Sequence, residues 1–596
     1  MVEPPNSAGP PRMALAVLVT LVVLSPWPFG SAHPRATQAI ATVALVTALA
    51  ALIALGRRGE LAVPRRILWP SIGLWLLAWL QLVPLPKSLL EVLAWGPSAV
   101  WYPDDAVAAV VLGSGAHPLS LYPEATARWL AVATGLVFLS LLAAPALRER
   151  RALTRAAVAV VSGGVAVAVY GLVARIVFGD KLYGFLTVPT IAPFGPFVSK
   201  NHFAGYVEMA ACLAVGLADG LAERAARGPG RLGWLDSSRA ARIVFAWGAA
   251  GVLALAVPVS LSRGGTVSLA AGLVAFVLVR IATRRQAGGS PRALALAAAL
   301  LVVAGAGVAF VLPQEARSRV SSLAGTGTRG PDPFRVGLWQ DALRVAASSP
   351  LLGSGLGAFE DALPRFKTGA GDQRVEHAES DYVELLADGG LVAFGLAGLL
   401  AASVLSLGLR GVRDEPHRLS RGLRAGALAG VTALLVHSAF DFNLRIPSNA
   451  LLFGLLLAMV LRPAAPDAED QPPAAAHRSW LRRSLVLLPL VAITLASSLA
   501  VPWMPRRFDS APLRRAAAAP ATALRWRSLE SDVREYLHHR PADATAWVAL
   551  AWLRAPASPP EAVSLASWAV RLDPEHVALR QEAERVAGAE IQPRRP

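Results

Sequence analysis

The chain has 596 residues, of which 54% are hydrophobic and only 16% are charged. A soluble protein of this length divides into several domains and carries about 25% charged residues, so this composition excludes an ordinary soluble enzyme. The formal net charge of +17 does not indicate a nucleic-acid partner, because the basic residues lie in short segments between apolar runs and form no single basic face.

Thirteen apolar runs follow one another along the chain, and each approaches the roughly 20 residues that a helix needs to cross a membrane. Backbone polar groups must be satisfied internally in lipid, so each crossing is expected to be a helix. The fold class predicted is all-α and polytopic, with about 12–13 transmembrane helices, because Pro489 and Pro502 interrupt the last run. The predicted spans are residues 13–30, 36–55, 67–83, 126–146, 154–178, 201–221, 241–260, 265–283, 293–312, 383–409, 423–440, 446–461 and 482–503.

Arginine clusters follow every even-numbered span, whereas the alternate short loops contain few basic residues. The positive-inside rule then places the N-terminus in the cytoplasm. On this topology the N-terminal segment 1–12 and the linker 463–481 are cytoplasmic, and 13–462 is the main membrane domain. The outer parts are the loop 84–125, the long loop 313–382 and, if the run 482–503 crosses, the tail 504–596.

The tail contains an approximate repeat. Pro541 and Pro574 each precede an apolar helical segment and are 33 residues apart, close to the roughly 34-residue period of tetratricopeptide helix pairs. An ordinary helical hairpin is the alternative interpretation.

A tight turn from Ser260 to Thr266 joins spans seven and eight on the predicted outer side. Gly264 and Gly265 let the backbone bend and approach a ligand closely. Arg263 has no acidic neighbour in sequence, and an arginine at membrane depth is costly unless it has a function. Because a guanidinium binds two phosphate oxygens at once, the turn predicts a phosphate site. The alternative is an arginine that reaches lipid headgroups.

Two further outer segments bring polar side chains together. Lys200, Asn201 and His202 begin span six, where a helix N-terminus favours anions; interfacial anchoring is the alternative. The hairpin between spans eleven and twelve runs from His437 to Pro447. Its polar side chains cost free energy in an apolar setting unless they pair with one another or bind a ligand. Its polar residues include Asp441, Asn443 and Arg445, and an Asp441–Arg445 ion pair is the structural alternative.

The long outer loop contains a predicted helix with Arg335 that ends at Pro350, followed by a glycine series from Gly353 to Gly357. No strand or Walker pattern precedes these glycines, so a tight turn is favoured over a phosphate loop.

Further along this loop, His377, Asp381 and Glu384 follow the i, i+4, i+7 spacing of one helix face. A histidine beside carboxylates suits a general base near neutral pH. The alternatives are a divalent metal site, for which no further ligand has the right spacing, and a solvated helix start. Cys212 is the single cysteine, which excludes a cysteine zinc site.

The charge-derived topology puts all four clusters on the same side, and this predicts one outer cavity suited to a pyrophosphate-linked substrate from the lipid. The segments that form these clusters are also similar to those of a known family, and the similarity covers roughly residues 20–462. The chain resembles the O-antigen ligase and polymerase family of bacterial envelope polysaccharide assembly, in the subgroup with a tetratricopeptide-like tail. The residues that carry it are Ser262-Arg263-Gly264, Gly195 to Gly205, Pro350 to Gly355, His377 to Leu391 and His437 to Asn449.

The resemblance implies a GT-C-like, all-helical glycosyltransferase of the bacterial inner membrane. Its donor would be an undecaprenyl-pyrophosphate-linked glycan, its acceptor a glycan or lipid, and it would need no metal or other cofactor. By position in the family pattern, Arg263 would hold the donor pyrophosphate and His377 would activate the acceptor hydroxyl. Helpers in donor binding would be Lys200, Arg335 and Arg445.

Two other functions stay open: a transporter or flippase of lipid-linked glycan, and a non-catalytic scaffold that recruits envelope-assembly proteins through the tail. A transporter is expected to have internal repeats and polar residues near the midplane. Arg175 is the intramembrane charge that would favour transport, whereas the other polar residues gather at the outer ends of the spans. Ligase and polymerase are not distinguished by these features.

Overall fold

The computed structural model describes residues 9–56, 63–188, 192–225, 238–284, 333–462, 474–502, 508 and 523–592. Regular structure in these ranges is almost entirely α-helical. Two short strands, β1 (Pro84–Leu85) and β2 (His117–Pro118), pair antiparallel, with Leu85 opposite His117.

The helices are α1 (Gly9–Leu24), α2 (Pro34–Gly56), α3 (Arg65–Leu82), α4 (Lys87–Leu93), α5 (Trp95–Trp101), α6 (Ala106–Leu112), α7 (Pro123–Ala143), α8 (Arg150–Phe178), α9 (Lys200–Ala225), α10 (Ser238–Val259), α11 (Arg263–Arg284), α12 (Pro333–Ser348), α13 (Phe359–Ala362), α14 (Asp381–Arg413), α15 (Arg418–His437), α16 (Pro447–Leu461), α17 (Ala474–Ala500), α18 (Ala523–His539), α19 (Ala544–Arg554), α20 (Pro559–Leu572) and α21 (Val577–Ala587).

The predicted all-α polytopic fold is confirmed. Within the described ranges, eight helices are long and apolar enough to cross a membrane: α2, α7 with the 3₁₀ turn that follows it to Arg148, α8, α9, α10, α11, α14 and α15. Three apolar helical stretches are shorter: α1, α16 and the part of α17 from Leu487 to Ala500. With α3, a helix occurs at twelve of the thirteen predicted spans. The predicted span 293–312 lies outside the described residues, as do 1–8, 313–332, 463–473 and 504–522 apart from Phe508.

The chain forms two compact units. The first comprises residues 1–68, 131–329 and 400–496, and α9 lies at its centre: every residue from His202 to Gly220 is buried. Small residues allow α9 to pack closely against α15, since a Cβ on Gly216 would lie 2.4 Å from the carbonyl oxygen of Gly422. This close packing brings the start of α9 beside the end of α15.

The second unit comprises residues 69–130, 330–399 and 497–596. Its helix α14 kinks at Gly390, which has a positive φ of 64°. A Cβ there would lie 2.4 Å from the backbone of Leu351, so the kink accommodates the loop that follows α12. The glycine requirement at this position is therefore both conformational and steric.

The C-terminal helices belong to the same hydrophobic core as the loops of the second unit. Trp547 and Trp568 of the tail are buried in one cluster with Trp101 and Phe359. Two buried ion pairs accompany this core: Arg540 Nε donates to Asp361 Oδ1 at 2.9 Å, and Lys367 Nζ donates to Asp573 Oδ2 at 3.0 Å. The tail is thus an integral part of this unit, with Pro541 and Pro574 in equivalent loops of two helical pairs.

Candidate functional site

The predicted site residues form two clusters, one in each unit. The prediction that they share one outer cavity stays a prediction, and each cluster has a geometry of its own. The cluster of the first unit contains Lys200, Asn201, His202, Arg263, Asp441, Asn443 and Arg445, and that of the second contains Arg335, His377 and Asp381.

Arg263 is the first residue of α11, at the end of the tight turn predicted from sequence. Leu261 reverses the chain with a positive φ of 61°, and Ser262 caps the new helix by accepting a hydrogen bond from the amide of Gly265 at 3.1 Å. The Arg263 side chain is exposed and makes no hydrogen bond or ion pair within the described residues. A guanidinium at the positive end of a helix dipole is an arrangement that attracts anions.

The N-terminus of α9 lies beside this turn. The hydroxyl of Ser262 donates to the side-chain Oδ1 of Asn201 at 2.9 Å. The backbone amide of Asn201 donates to the hydroxyl of Ser199 at 3.2 Å. Lys200, half-buried, is the first residue of α9. Two helix N-termini, each beginning with a basic residue, are therefore joined by a side-chain hydrogen bond. The structure brings together Lys200, Asn201 and Arg263, which lie far apart in sequence.

A buried carboxylate–histidine pair lies behind the Arg263 turn. Nδ1 of His437 is 3.1 Å from both carboxylate oxygens of Glu208, and both side chains are fully buried. A Cβ on Gly264 would lie 3.2 Å from Nε2 of His437, so the ring packs directly against the turn. The pair can hold the turn in position. Sequence reasoning missed Glu208, although an acidic residue within an apolar run was an available signal.

His202 and Asp441 are buried as a second pair. Nε2 of His202 is 3.4 Å from Oδ1 of Asp441, which also accepts the amide of Phe442 at 2.7 Å. Burial alone would raise the pKa of Asp441, but the contacts with His202 outweigh it and lower that pKa to about 2. The contact found for Asp441 is therefore with His202, whereas the sequence pattern offers Arg445 as its partner. Substrate contacts of His202 and Asp441 stay predictions.

Asn443 is buried against the start of α9. Its Oδ1 accepts a hydrogen bond from Nδ2 of Asn449 at 2.8 Å, and the same Nδ2 donates to the carbonyl of His202 at 3.0 Å. A Cβ on Gly205 would come within 2.3 Å of Asn443 Oδ1, which makes glycine necessary there. Arg445 is half-buried at the end of the same short 3₁₀ turn. This network fixes the hairpin to α9.

In the second unit, Glu384 orients His377. Nδ1 of His377 lies 2.9 Å from Oε1 of Glu384, whose other oxygen accepts the amide of Ala378 at 3.0 Å. The carboxylate is buried, whereas the His377 side chain is 30% exposed. One ring nitrogen is thus held by a buried acid while the ring reaches the surface, the arrangement that a general base needs.

The prediction that His377, Asp381 and Glu384 share one helix face is wrong. Helix α14 begins at Asp381, and His377 lies before it in a non-helical segment where Glu379 has a positive φ of 53°. The chain reverses at Glu379, and Ser380 directly precedes the helix, where its carbonyl accepts a hydrogen bond from the Glu384 amide at 3.0 Å. His377 meets Glu384 through this reversal, and Asp381 is buried in the first turn.

Helix α12 holds the His377 segment in place. Nη2 of Arg335 donates to Oε2 of Glu379 at 2.7 Å, and the indole of Trp339 donates to the carbonyl of Ala378 at 3.0 Å. Arg335 is therefore engaged by a carboxylate, and its predicted role in donor binding stays a prediction.

The glycine series after α12 is a turn whose amides are all used within the protein. Those of Gly353, Ser354, Gly355 and Ala358 donate to backbone carbonyls. The amide of Leu356 donates to the Gln81 side chain at 2.9 Å and that of Gly357 to the Asp388 carboxylate at 2.8 Å. No amide in this series is left to bind a phosphate, which agrees with the tight-turn interpretation.

The intramembrane arginine that would favour transport is paired. Arg175, in the last turn of α8, makes an ion pair with Asp180, and both side chains are exposed. Among the described residues, no group of three or more His, Cys, Asp or Glu side chains is arranged to hold a metal ion.

Comparison with protein families adds the decisive observation. Residues 248–398 match the family model described as O-antigen ligase. This segment belongs to the O-antigen ligase family. It contains Arg263, Arg335, His377 and Asp381, so residues of both clusters lie within the matched region. No curated protein matches the chain. The O-antigen ligase segment and the apolar helices together indicate a multi-pass membrane protein with a ligase- or polymerase-type function in polysaccharide biosynthesis, and thus glycosyl transfer in general.

Proposed function

We propose that this protein is a glycosyltransferase that transfers or polymerises an undecaprenyl-pyrophosphate-linked glycan at the periplasmic face of the bacterial inner membrane. The observation that carries the proposal is Arg263 within the O-antigen ligase segment, exposed at a helix N-terminus and without a counter-ion among the described residues. Such a group suits a diphosphate.

Arg263 is assigned to the donor. Its planar guanidinium can donate two parallel hydrogen bonds to the pyrophosphate oxygens, and the N-termini of α9 and α11 add their positive dipole ends. Lys200 adds a second cation and Asn201 links the two helix starts. When the glycan leaves, the negative charge that develops on the undecaprenyl pyrophosphate is stabilised by these groups without a metal ion.

His377 is assigned to the acceptor. The acceptor hydroxyl oxygen bonds to the anomeric carbon of the donor sugar as the bond from that carbon to the pyrophosphate oxygen breaks. The electron pair leaves with the pyrophosphate, and the hydroxyl proton passes to the neutral His377 ring. Glu384, fixed by the Ala378 amide, stabilises the imidazolium that forms.

The test of the base role is in vitro transfer with a purified lipid-linked donor. His377→Ala is expected to lower turnover by about 10²–10⁴-fold, the usual contribution of a general base. His377→Gln is not expected to rescue turnover, because an amide is not a useful base at neutral pH. The exposed His538 provides the matched control, and His538→Ala should leave turnover unchanged. Near-normal turnover in His377→Gln would reject the base role and leave hydrogen bonding to the acceptor.

Ligase and polymerase are distinguished by the glycan of a deletion strain. Loss of long chains with single repeats retained would identify a polymerase. Accumulation of full-length lipid-linked polymer would identify a ligase. An unchanged glycan profile would contradict both.

The side of the tail follows from the topology proposed here, with the N-terminus in the cytoplasm. Because the tail shares a hydrophobic core with the segments around Trp101 and Phe359, it must lie on the same side as those loops. If they are periplasmic, α17 crosses the membrane and the tail is periplasmic. A reporter that is active only in the cytoplasm, fused after Pro596, is expected to be silent. Strong signal would contradict the proposed side.

A further inference from the structure

The first unit contains a cavity of 1120 Å³ at the end of its helices opposite Arg263. The starts of α8, α10 and α15 and the end of α9 form its wall. Arg263, in contrast, lies near the start of α9 and the end of α15. The arginine distribution predicts that the cavity end is cytoplasmic.

One part of the wall is strongly basic. The lining includes five arginines and one acidic residue, Glu149, which already forms an ion pair with Arg12 at 3.0 Å. Two helix N-termini also border the cavity, and neither N-cap residue, Glu149 of α8 or His417 of α15, makes a side-chain capping hydrogen bond. Both the side chains and the helix ends therefore favour an anion. The arginines are Arg150, Arg151, Arg155, Arg242 and Arg418.

The rest of the wall is apolar and continues along the same helices. On α8, Arg151 and Arg155 are followed on the lining face by Val158 and Val161, which lie about one to two turns further along the helix axis. Phe245 of α10 and Leu217 of α9 extend this apolar surface. The positive-inside rule accounts for arginines at this end of the helices, but not for a cavity that combines them with an apolar wall.

We propose that this cavity binds one anionic phospholipid. Its phosphate would contact the arginines of α8, and an acyl chain would lie against the apolar wall. Charge complementarity and the change from basic to apolar lining along α8 both favour an amphiphile over a free phosphate. The proposal is independent of the function assigned to Arg263 and His377, since the cavity uses neither residue.

The test is a lipid titration of the full-length protein in non-ionic detergent, followed by native mass spectrometry. The probes are phosphatidylglycerol, phosphatidylcholine and inorganic phosphate. The first variant is R150Q/R151Q/R155Q, three exposed arginines whose replacement should not unfold the protein. The second is Ala249→Trp, which fills part of the apolar wall. The matched control is R410Q/R413Q, two exposed arginines of α14 that do not line the cavity.

The wild-type protein and the control are expected to bind phosphatidylglycerol at least about tenfold more tightly than phosphatidylcholine, and both cavity variants should lose this preference. Wild-type affinity for phosphatidylglycerol in both cavity variants would overturn the proposal. Displacement of bound phosphatidylglycerol by inorganic phosphate at comparable concentration would also overturn it, because the ligand would then be a free anion. Unchanged melting temperatures without lipid check that the variants are folded.

Discussion

Helix α11 has an arginine near each end, and the two have opposite surroundings. Arg280 is buried, with Nε 2.9 Å from a carboxylate oxygen of Asp219 and Nη2 2.6 Å from one of Glu223. Arg263 is exposed and makes no ion pair among the described residues. At one end the charge is neutralised by the protein, and at the other it remains available to a ligand. Both residues are arginines, so the difference in role comes from the two carboxylates of α9 that contact Arg280.

The carboxylates at the two ends explain this difference. Asp219 and Glu223 lie on the last turns of α9 and face Arg280, whereas two carboxylates described near the Arg263 end contact histidines. Glu208 contacts His437 and Asp441 contacts His202. The anion that completes the Arg263 end is therefore expected from outside the protein.

The largest effect is expected at Arg263. Arg263→Ala should reduce glycan transfer by about 10³-fold or more, because it removes two charge-assisted hydrogen bonds worth roughly 1.5–3 kcal/mol each. The melting temperature should not change, since Arg263 makes no ion pair with any residue that the structure describes. Arg263→Lys should also be strongly impaired, because lysine lacks the bidentate fork. In vitro transfer with the purified donor measures these effects. Wild-type turnover in Arg263→Ala would contradict the assignment of Arg263 to donor binding.

Arg280→Ala should give the opposite pattern. It leaves two buried carboxylates without their arginine, at a cost of about 3–5 kcal/mol in the free energy of unfolding. The yield of folded protein should fall, while transfer per folded molecule stays near that of the wild type. Arg410→Ala, at an exposed position, is the control and should change neither quantity. A stable but inactive Arg280→Ala protein would show that Arg280 also serves the reaction.

A smaller effect is expected from the Asp441–His202 pair, and it depends on pH. The pKa of Asp441 is about 2 in the folded protein and 3.8 ordinarily, so its contribution is complete above pH 4 and is lost as the pH falls towards 2. Asp441→Asn should therefore destabilise the protein by roughly 2 kcal/mol at neutral pH and by little at pH 2. Denaturation of both proteins at the two pH values measures this, and a difference in stability that does not depend on pH would contradict a stabilising role of the ionised Asp441.

Much of the fold could be predicted from sequence because lipid imposes a simple rule: runs of apolar residues become helices. The arginine at the Arg263 turn was also recognisable, since a charge beside two glycines between apolar runs is conspicuous. His377 was identified for a sound chemical reason but with the wrong local structure. Helical spacing connected it to Glu384, whereas the actual contact depends on a chain reversal at Glu379.

Partners distant in sequence could not be predicted. Glu208 and His437 are 229 residues apart, and Arg540 reaches Asp361 over 179 residues. Both contacts form because helix packing brings their elements together, and packing depends on shape complementarity between surfaces that no local pattern encodes. The tail illustrates this: its helical repeat was expected, but the core that it shares with the segments around Trp101 and Phe359 was not.

The sequence by itself determined the membrane class, the positions of the helices and the residue types available for binding a diphosphate. These are local properties, since hydropathy, charge and glycine content can be assessed within one apolar run of about 20 residues and the loops beside it. Only the tertiary structure decided which of these residues are neutralised and which remain available. The close approach of α9 to α15 pairs Glu208 with His437, and the contact of α9 with α11 pairs its carboxylates with Arg280 and leaves Arg263 exposed. A charge has a structural or a binding role according to its nearest counter-charge, and that distance is set by packing.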